Sequence, residues 1–139
     1  AGDEIGRARV IAREDMVLAG IDVFKEAFYF VDENIKFTDK AEEGEFLESG
    51  DNLVEISGKL ESILNAERVA LNFLQKMCGI ATLTRRYVDE VSGTDVKILD
   101  TRKTTPGLRV LERYAVRIGG GFNHRFGLYD GILIKDLYL

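Results

Sequence analysis

VKILDTRKTTPGLRVLERYAVRIGGGFNHRFGLYDGILIKD, residues 96–136, is the stretch that decides the fold. The apolar runs 96–99 and 131–135 predict two strands, and Pro106 opens a helix predicted over about 107–118. One side of that helix is apolar and carries Leu108, Leu111, Ala115 and Ile118. A strand, a helix and a strand in this order predict a parallel α/β unit.

The chain before this stretch carries shorter elements. Residues 9–20 predict two short strands around an acidic turn, and apolar residues at helical spacing predict a helix from Ile21 to Val31. A short strand near Phe37 is predicted next. Short antiparallel strands separated by turn glycines are predicted between 41 and 60.

The middle of the chain has a wide apolar helical face. It predicts one helix that starts near Glu61 and is stopped at Gly79, then a second from about Ala81 to Val91. Ser92–Gly93 is typical of the end of a helix.

Two domains follow from these patterns. Residues 1–62 predict an α+β N-terminal domain, and residues 63–139 predict an α/β domain in which parallel strands alternate with helices.

Composition limits the function classes. The 139 residues are 45% hydrophobic and 31% charged, which is typical of a globular protein. The sequence contains no run of about 18 apolar residues, so no membrane span is predicted. The segment AGDEIGRARV lacks the apolar core of a signal peptide. Cys78, the only cysteine, is expected to be a buried thiol rather than a nucleophile, so a cytoplasmic location is expected.

Charge is unevenly distributed along the chain. The net charge of −5 combines an acidic first part with a basic last part. A nucleic-acid-binding protein needs a broad basic face, so a nucleic-acid partner is not expected. The pattern favours a confined anionic ligand.

The cations of the last part lie where predicted strands end. Strand 96–99 runs into Asp100, Thr101, Arg102 and Lys103, and strand 131–135 ends in Lys135. In α/β barrels the carboxyl ends of the strands carry the active site. The loop before the second strand adds His124 and Arg125. We therefore predict an enzyme site for an anion at this edge.

Arginine and lysine in this number suit a ligand with two carboxylates, or with a carboxylate beside a phosphate. The alternative is that these charges are solvated and never meet.

The glycines of 119–121 allow either close approach of a ligand or a sharp turn. They do not form a dinucleotide-binding motif. No metal ligand is predicted, because His124 is the only histidine and no second ligand lies at metal spacing. By its pattern alone, Arg68 belongs to a solvated helix face.

Several long strings nevertheless resemble one family closely. They are AERVALNFLQ (66–75), GIATLTRRYV (79–88), KILDTRKTTPGLR (97–109) and YAVRIGGGFNHRFGLYDGILIKD (114–136). They resemble quinolinate phosphoribosyltransferase, the carboxylating nicotinate-nucleotide pyrophosphorylase of NAD biosynthesis, and the resemblance extends from about residue 7 to 136.

The resemblance implies an enzyme, a decarboxylating phosphoribosyltransferase. Quinolinate and phosphoribosyl pyrophosphate would give nicotinate mononucleotide, pyrophosphate and carbon dioxide, with Mg²⁺. It implies catalytic roles for Lys135, Arg102 and Lys103. The resemblance implies substrate binding by Arg68, Thr101, Arg102, Lys103, His124, Arg125 and Lys135. It also implies a homodimer or higher homo-oligomer in which Arg68 crosses the interface, which reverses the solvated interpretation of that residue.

The chain departs from the family after Asp136, where the family continues with Asn-His and this chain has Leu137, Tyr138 and Leu139. The resemblance implies a truncated member, in which residues 63–139 form the first part of an α/β barrel that is incomplete in this chain. The Mg²⁺ ligands and the phosphoribosyl-binding loops are then expected outside this chain. Two alternatives stay open at this point. One is a non-catalytic fragment that dimerises or binds a dicarboxylate, and the other is a related phosphoribosyltransferase with another anionic substrate.

Overall fold

A computed structural model of the chain describes residues 3–123. In chain order the elements are β1 (Ile5–Ile11), β2 (Met16–Val17), α1 (Ile21–Val31), β3 (Lys36–Asp39), β4 (Phe46–Leu47), β5 (Asn52–Lys59), α2 (Leu60–Glu90) and α3 (Arg109–Ile118). The predicted strand over 131–135 lies outside the described residues. No helix of the described part has the length and apolar character needed to cross a membrane.

The strands form two small antiparallel sheets. β5 is central in a three-stranded sheet of order β1-β5-β3, and β2 pairs with β4. Leu53, Val54 and Ile56 of β5 are buried, so the central strand supplies the apolar face of the sheet. The short strands predicted before residue 60 are confirmed.

Helix α1 has the bounds that its apolar spacing predicts. It buries Ile21, Phe24 and Phe28. The rings of Phe24 and Phe28 both contact Phe37 of β3, with centroids 6.3 and 5.6 Å from the Phe37 centroid. This aromatic cluster fixes α1 against the sheet.

Helix α2 is continuous from Leu60 to Glu90, so the prediction of two helices separated at Gly79 is wrong. A glycine inside a helix costs only about 1 kcal/mol relative to alanine. Buried residues on both sides of Gly79, among them Leu74 and Ala81, outweigh that cost by packing into the core. The predicted domain boundary at 62/63 falls near the start of this helix and stays a prediction.

The apolar packing has two parts that meet on α2. Cys78 belongs to the larger cluster, with α1 and the sheet, whereas Met77 belongs to a smaller cluster with Ala81 and Ala115. Ala115 comes from α3, so the smaller cluster attaches that helix to α2. The predicted apolar side of α3 is therefore the side that packs against α2.

The predicted strand at 96–99 is reduced to one parallel bridge between Leu99 and Phe122. Asp100 N donates to Phe122 O at 2.9 Å, and Phe122 N donates to Ile98 O at 2.8 Å. Within residues 3–123 no longer strand lies beside this segment, so the ladder does not extend.

The start of α3 also differs from prediction. Pro106 does not open the helix, which begins at Arg109. Pro106 and Gly107 instead occupy a turn in which Leu108 N donates to Thr105 O at 3.0 Å. Gly107 has φ +78°, as the third residue of a type II turn requires.

Candidate functional site

The loop after the parallel bridge carries two of the predicted cations, Arg102 and Lys103. Thr101, Arg102 and Lys103 are all exposed and follow Leu99 after one intervening residue, Asp100. Lys103 N donates to Thr101 Oγ1 at 3.2 Å, which bends the loop locally. The side chains of Arg102 and Lys103 are thus presented to solvent at the end of the bridged segment.

Helix α3 holds this loop through side chains of its first turn. Arg109 donates from Nη2 to Arg102 O at 3.2 Å and from Nε to Thr104 Oγ1 at 3.3 Å. Thr105 N donates to Glu112 Oε1 at 2.6 Å. These contacts involve the backbone of the loop and Thr104, so they fix the path of the loop while leaving the Arg102 guanidinium outside them.

Asp100 joins the loop to both α3 and the bridged partner segment. Its side chain is only 5% exposed, and Arg113 Nε donates to Asp100 Oδ2 at 3.2 Å. The Asn123 amide, oriented with Nδ2 toward the carboxylate, donates to Asp100 Oδ2 at 3.0 Å and to Arg113 O at 3.3 Å. Asp100 is thereby paired and hydrogen-bonded, as a buried carboxylate must be.

The glycine run lets α3 end directly against α2. A Cβ on Gly119 would lie 2.4 Å from Ala81 O, and one on Gly121 would lie 2.9 Å from Thr84 Cγ2. Arg85 Nε also donates to Gly119 O at 2.9 Å. The predicted sharp turn lies at Gly120, which has φ +99°. The predicted close approach of a ligand stays a prediction, since the contacts above are with α2.

Arg68 lies exposed on α2. The same helix exposes four large apolar side chains, namely Leu64, Val69, Leu83 and Tyr87. Within the described residues no ion pair holds Arg68. His124, Arg125 and Lys135 lie outside the described residues, so the structure does not test whether they approach Arg102.

Two other features bear on the chemistry. Burial raises the pKa of the Cys78 thiol to about 11, so the thiolate needed for nucleophilic attack is scarce at neutral pH. Across residues 3–123, no three Asp, Glu, His or Cys side chains lie close enough together to hold a metal ion.

Sequence reasoning missed four residues that support the loop: Asp100, Arg109, Glu112 and Arg113. A signal was available, because Arg109, Glu112 and Arg113 are spaced three and four residues apart and so share one face of a helix. Their loop partners carry no such signal, since a backbone carbonyl or amide is the same at every position.

Comparisons with known proteins cover the whole chain. Residues 1–78 match the model of the quinolinate phosphoribosyl transferase N-terminal domain, and residues 80–139 match the model of its C-terminal domain. The two matches meet inside α2.

Individual relatives also match over nearly the whole chain. A probable nicotinate-nucleotide pyrophosphorylase [carboxylating] of Bacillus subtilis (strain 168) is 46% identical over 138 residues, covering 99% of this chain and 48% of the relative. A quinolinate phosphoribosyltransferase [decarboxylating] of Nicotiana tabacum is 43% identical, covering 99% of this chain and 39% of the relative. The chain thus spans less than half the length of these curated relatives.

Solved structures match equally well. The crystal structure of NadC from Streptococcus pyogenes superposes with a TM-score of 0.88 at 46% identity, over 98% of this chain and 49% of that one. The nicotinate-nucleotide pyrophosphorylase from Francisella tularensis also gives a TM-score of 0.88, at 44% identity, over 96% of this chain and 48% of that one.

Proposed function

The chain belongs to the quinolinate phosphoribosyltransferase family, and from that membership we propose that it carries the quinolinate-binding part of this enzyme. The proposed reaction transfers phosphoribose from phosphoribosyl pyrophosphate to quinolinate and releases pyrophosphate and carbon dioxide. The product is nicotinate mononucleotide, so the activity serves NAD biosynthesis.

One observation supports this proposal above the others. The bridge between Leu99 and Phe122 joins two segments side by side, and each is followed in sequence by proposed ligand-binding residues. Thr101, Arg102 and Lys103 follow the first segment, and His124 and Arg125 follow the second. Convergence of these groups with Lys135 would offset the large cost of removing a dicarboxylate from water.

The proposed residues balance the negative charge of quinolinate and hold it in position for the reaction. Arg102, Lys103, Arg125 and Lys135 bind the two carboxylates and hold the pyridine nitrogen toward the ribose carbon. The nitrogen forms a bond to that carbon as the bond to pyrophosphate breaks, and pyrophosphate leaves with the electron pair. The C2 carboxylate then leaves as carbon dioxide, and Arg102, Lys103 and Lys135 stabilise the charge left on the ring until it is protonated.

The activity is proposed for the family's whole barrel, of which residues 63–139 would supply the first part. Mg²⁺ is proposed to act with phosphoribosyl pyrophosphate. No step above is assigned to Mg²⁺. A cytoplasmic location is proposed, supported by the buried free thiol of Cys78.

We also propose a homodimer in which Arg68 reaches the partner's site. The exposure of Arg68 supports it, together with the 57% exposure of Leu64 and the 54% exposure of Val69 on the same helix. Large apolar side chains on one face are typical of a surface that another chain covers.

Calorimetric titration of the chain with quinolinate tests the proposed site. Arg102→Ala is expected to weaken binding by about 2 kcal/mol, roughly thirtyfold in Kd, because a charged contact to the ligand is lost. Arg13→Ala removes the same charge from an exposed position before β2 and should bind like the wild type. Equal affinity of the Arg102 variant and the wild type would contradict the assignment.

A further inference from the structure

We propose that Glu112 is a positioning residue for the anion site. This inference rests on the proposed function, in which Arg102 and Lys103 bind quinolinate. Glu112 acts through the backbone of the loop that carries them and does not touch the ligand itself.

The contacts of the loop support this role. Residues 100–105 are held by α3 at both ends, at Asp100 by Arg113 and at Thr105 by Glu112. The Thr105 N–H donates to Glu112 Oε1 at 2.6 Å, and the turn that leads into α3 starts at the same residue. Without the carboxylate, this amide would depend on water for a partner, and the end of the loop would lose its attachment to the helix.

Because Glu112 is negatively charged, the direction of the change in quinolinate affinity on its removal distinguishes an electrostatic role from a positioning role. A carboxylate near a cationic site repels an anionic ligand, so by electrostatics alone its removal would strengthen quinolinate binding. Removal of an attachment that fixes the loop carrying Arg102 and Lys103 would weaken binding, because the ligand must then also order the loop backbone. The two explanations therefore predict opposite changes in affinity.

Glu112 has a further interaction that the experiment must separate. It lies in the first turn of α3, where a negative charge is favourable for the helix. Glu112→Gln removes that charge but keeps an oxygen acceptor for the Thr105 N–H. Glu112→Ala removes both, so the difference between the two variants isolates the hydrogen bond.

The experiment compares quinolinate titrations of the wild type, Glu112→Ala, Glu112→Gln and Glu90→Ala. The last variant removes an exposed glutamate at the end of α2 and serves as the charge control. Glu112→Ala is expected to bind about tenfold more weakly, and the other two within about twofold of the wild type. Unchanged or tighter binding by Glu112→Ala would overturn the proposal.

Amide hydrogen exchange of the unliganded proteins provides a second readout. Exchange at Thr105 is expected to accelerate in Glu112→Ala but not in Glu112→Gln, while the amides of β5 keep their protection in both. If the wild type binds no quinolinate, the proposed function of the chain fails. The exchange measurement then still decides whether Glu112 holds the loop, and equal rates at Thr105 in all proteins would overturn that role.

Discussion

At the scale of single residues, Gly119 shows how closely α3 ends against α2. Its φ is −70°, so its backbone is accessible to any residue, and space alone requires a glycine. The Cβ of another residue would lie 2.4 Å from Ala81 O and 2.7 Å from Thr84 Cβ, both on α2. The helices would have to separate to admit it.

Gly119→Ala is therefore expected to lower the free energy of unfolding by about 3 kcal/mol, at the upper end for an overpacked site. Gly93→Ala is the matched control, because Gly93 has φ +83° and open space around its Cβ. It should cost only about 1 kcal/mol, from the backbone alone. Urea unfolding of the three proteins measures both values, and equal costs would contradict the packing argument.

The sequence predicts the charged residues of the candidate site better than their partners. The positions of Arg102 and Lys103 after an apolar run indicate an exposed strand end; both residues are exposed, although the strand is reduced to one bridge at Leu99. The pairing of Asp100 with Arg113 depends on how α3 packs beside the loop, over 13 positions in sequence. A local pattern carries no information about that contact.

At the scale of elements, Glu43 connects α1 with α3. Gly20, which precedes α1, has no side chain to cap it, and the Glu43 carboxylate accepts hydrogen bonds from Gly20 N at 2.8 Å and Ile21 N at 3.3 Å. The Tyr114 hydroxyl of α3 donates to the same carboxylate. Burial, and then this hydrogen bond, raise the pKa of Tyr114.

Glu43→Ala is expected to destabilise the protein by about 2 kcal/mol, since it removes a helix cap and a hydrogen bond to a charged group together. Tyr114→Phe should cost about 1 kcal/mol in the wild type and almost nothing in the Glu43→Ala background. Urea unfolding of the four proteins of this double-mutant cycle measures the coupling. Additive costs would show that the two side chains do not interact.

Elements with strong local patterns are predictable, and those that depend on distant neighbours are not. Helix α1 follows from the spacing of Ile21, Phe24 and Phe28 alone. Gly79 indicates a helix end locally, yet packing on both sides of it keeps α2 continuous. The strand predicted at 96–99 needs a partner along its whole length, and the described residues provide one at Leu99 only.

At the scale of the whole molecule, the exposed apolar side of α2 is the surface through which the proposed dimer would form. Val69→Asp is expected to shift the chain from dimer to monomer, because it places a charge on the exposed apolar side of α2, next to Arg68 in sequence. Sedimentation equilibrium measures the mass in solution. Val110→Asp, at an 80% exposed position on α3, is the control and should leave the mass unchanged. A monomeric wild type would contradict the proposed dimer.

The continuity of α2 also makes the two family-model regions structurally interdependent. The two family models meet between residues 78 and 80, in the interior of a helix of 31 residues that is about 46 Å long. Met77 and Cys78, consecutive in the gene, belong to different apolar clusters. A chain divided at this point would interrupt the helix and open both clusters at once. The two parts therefore depend on each other for their apolar packing, although their sequences are recognisable as separate modules.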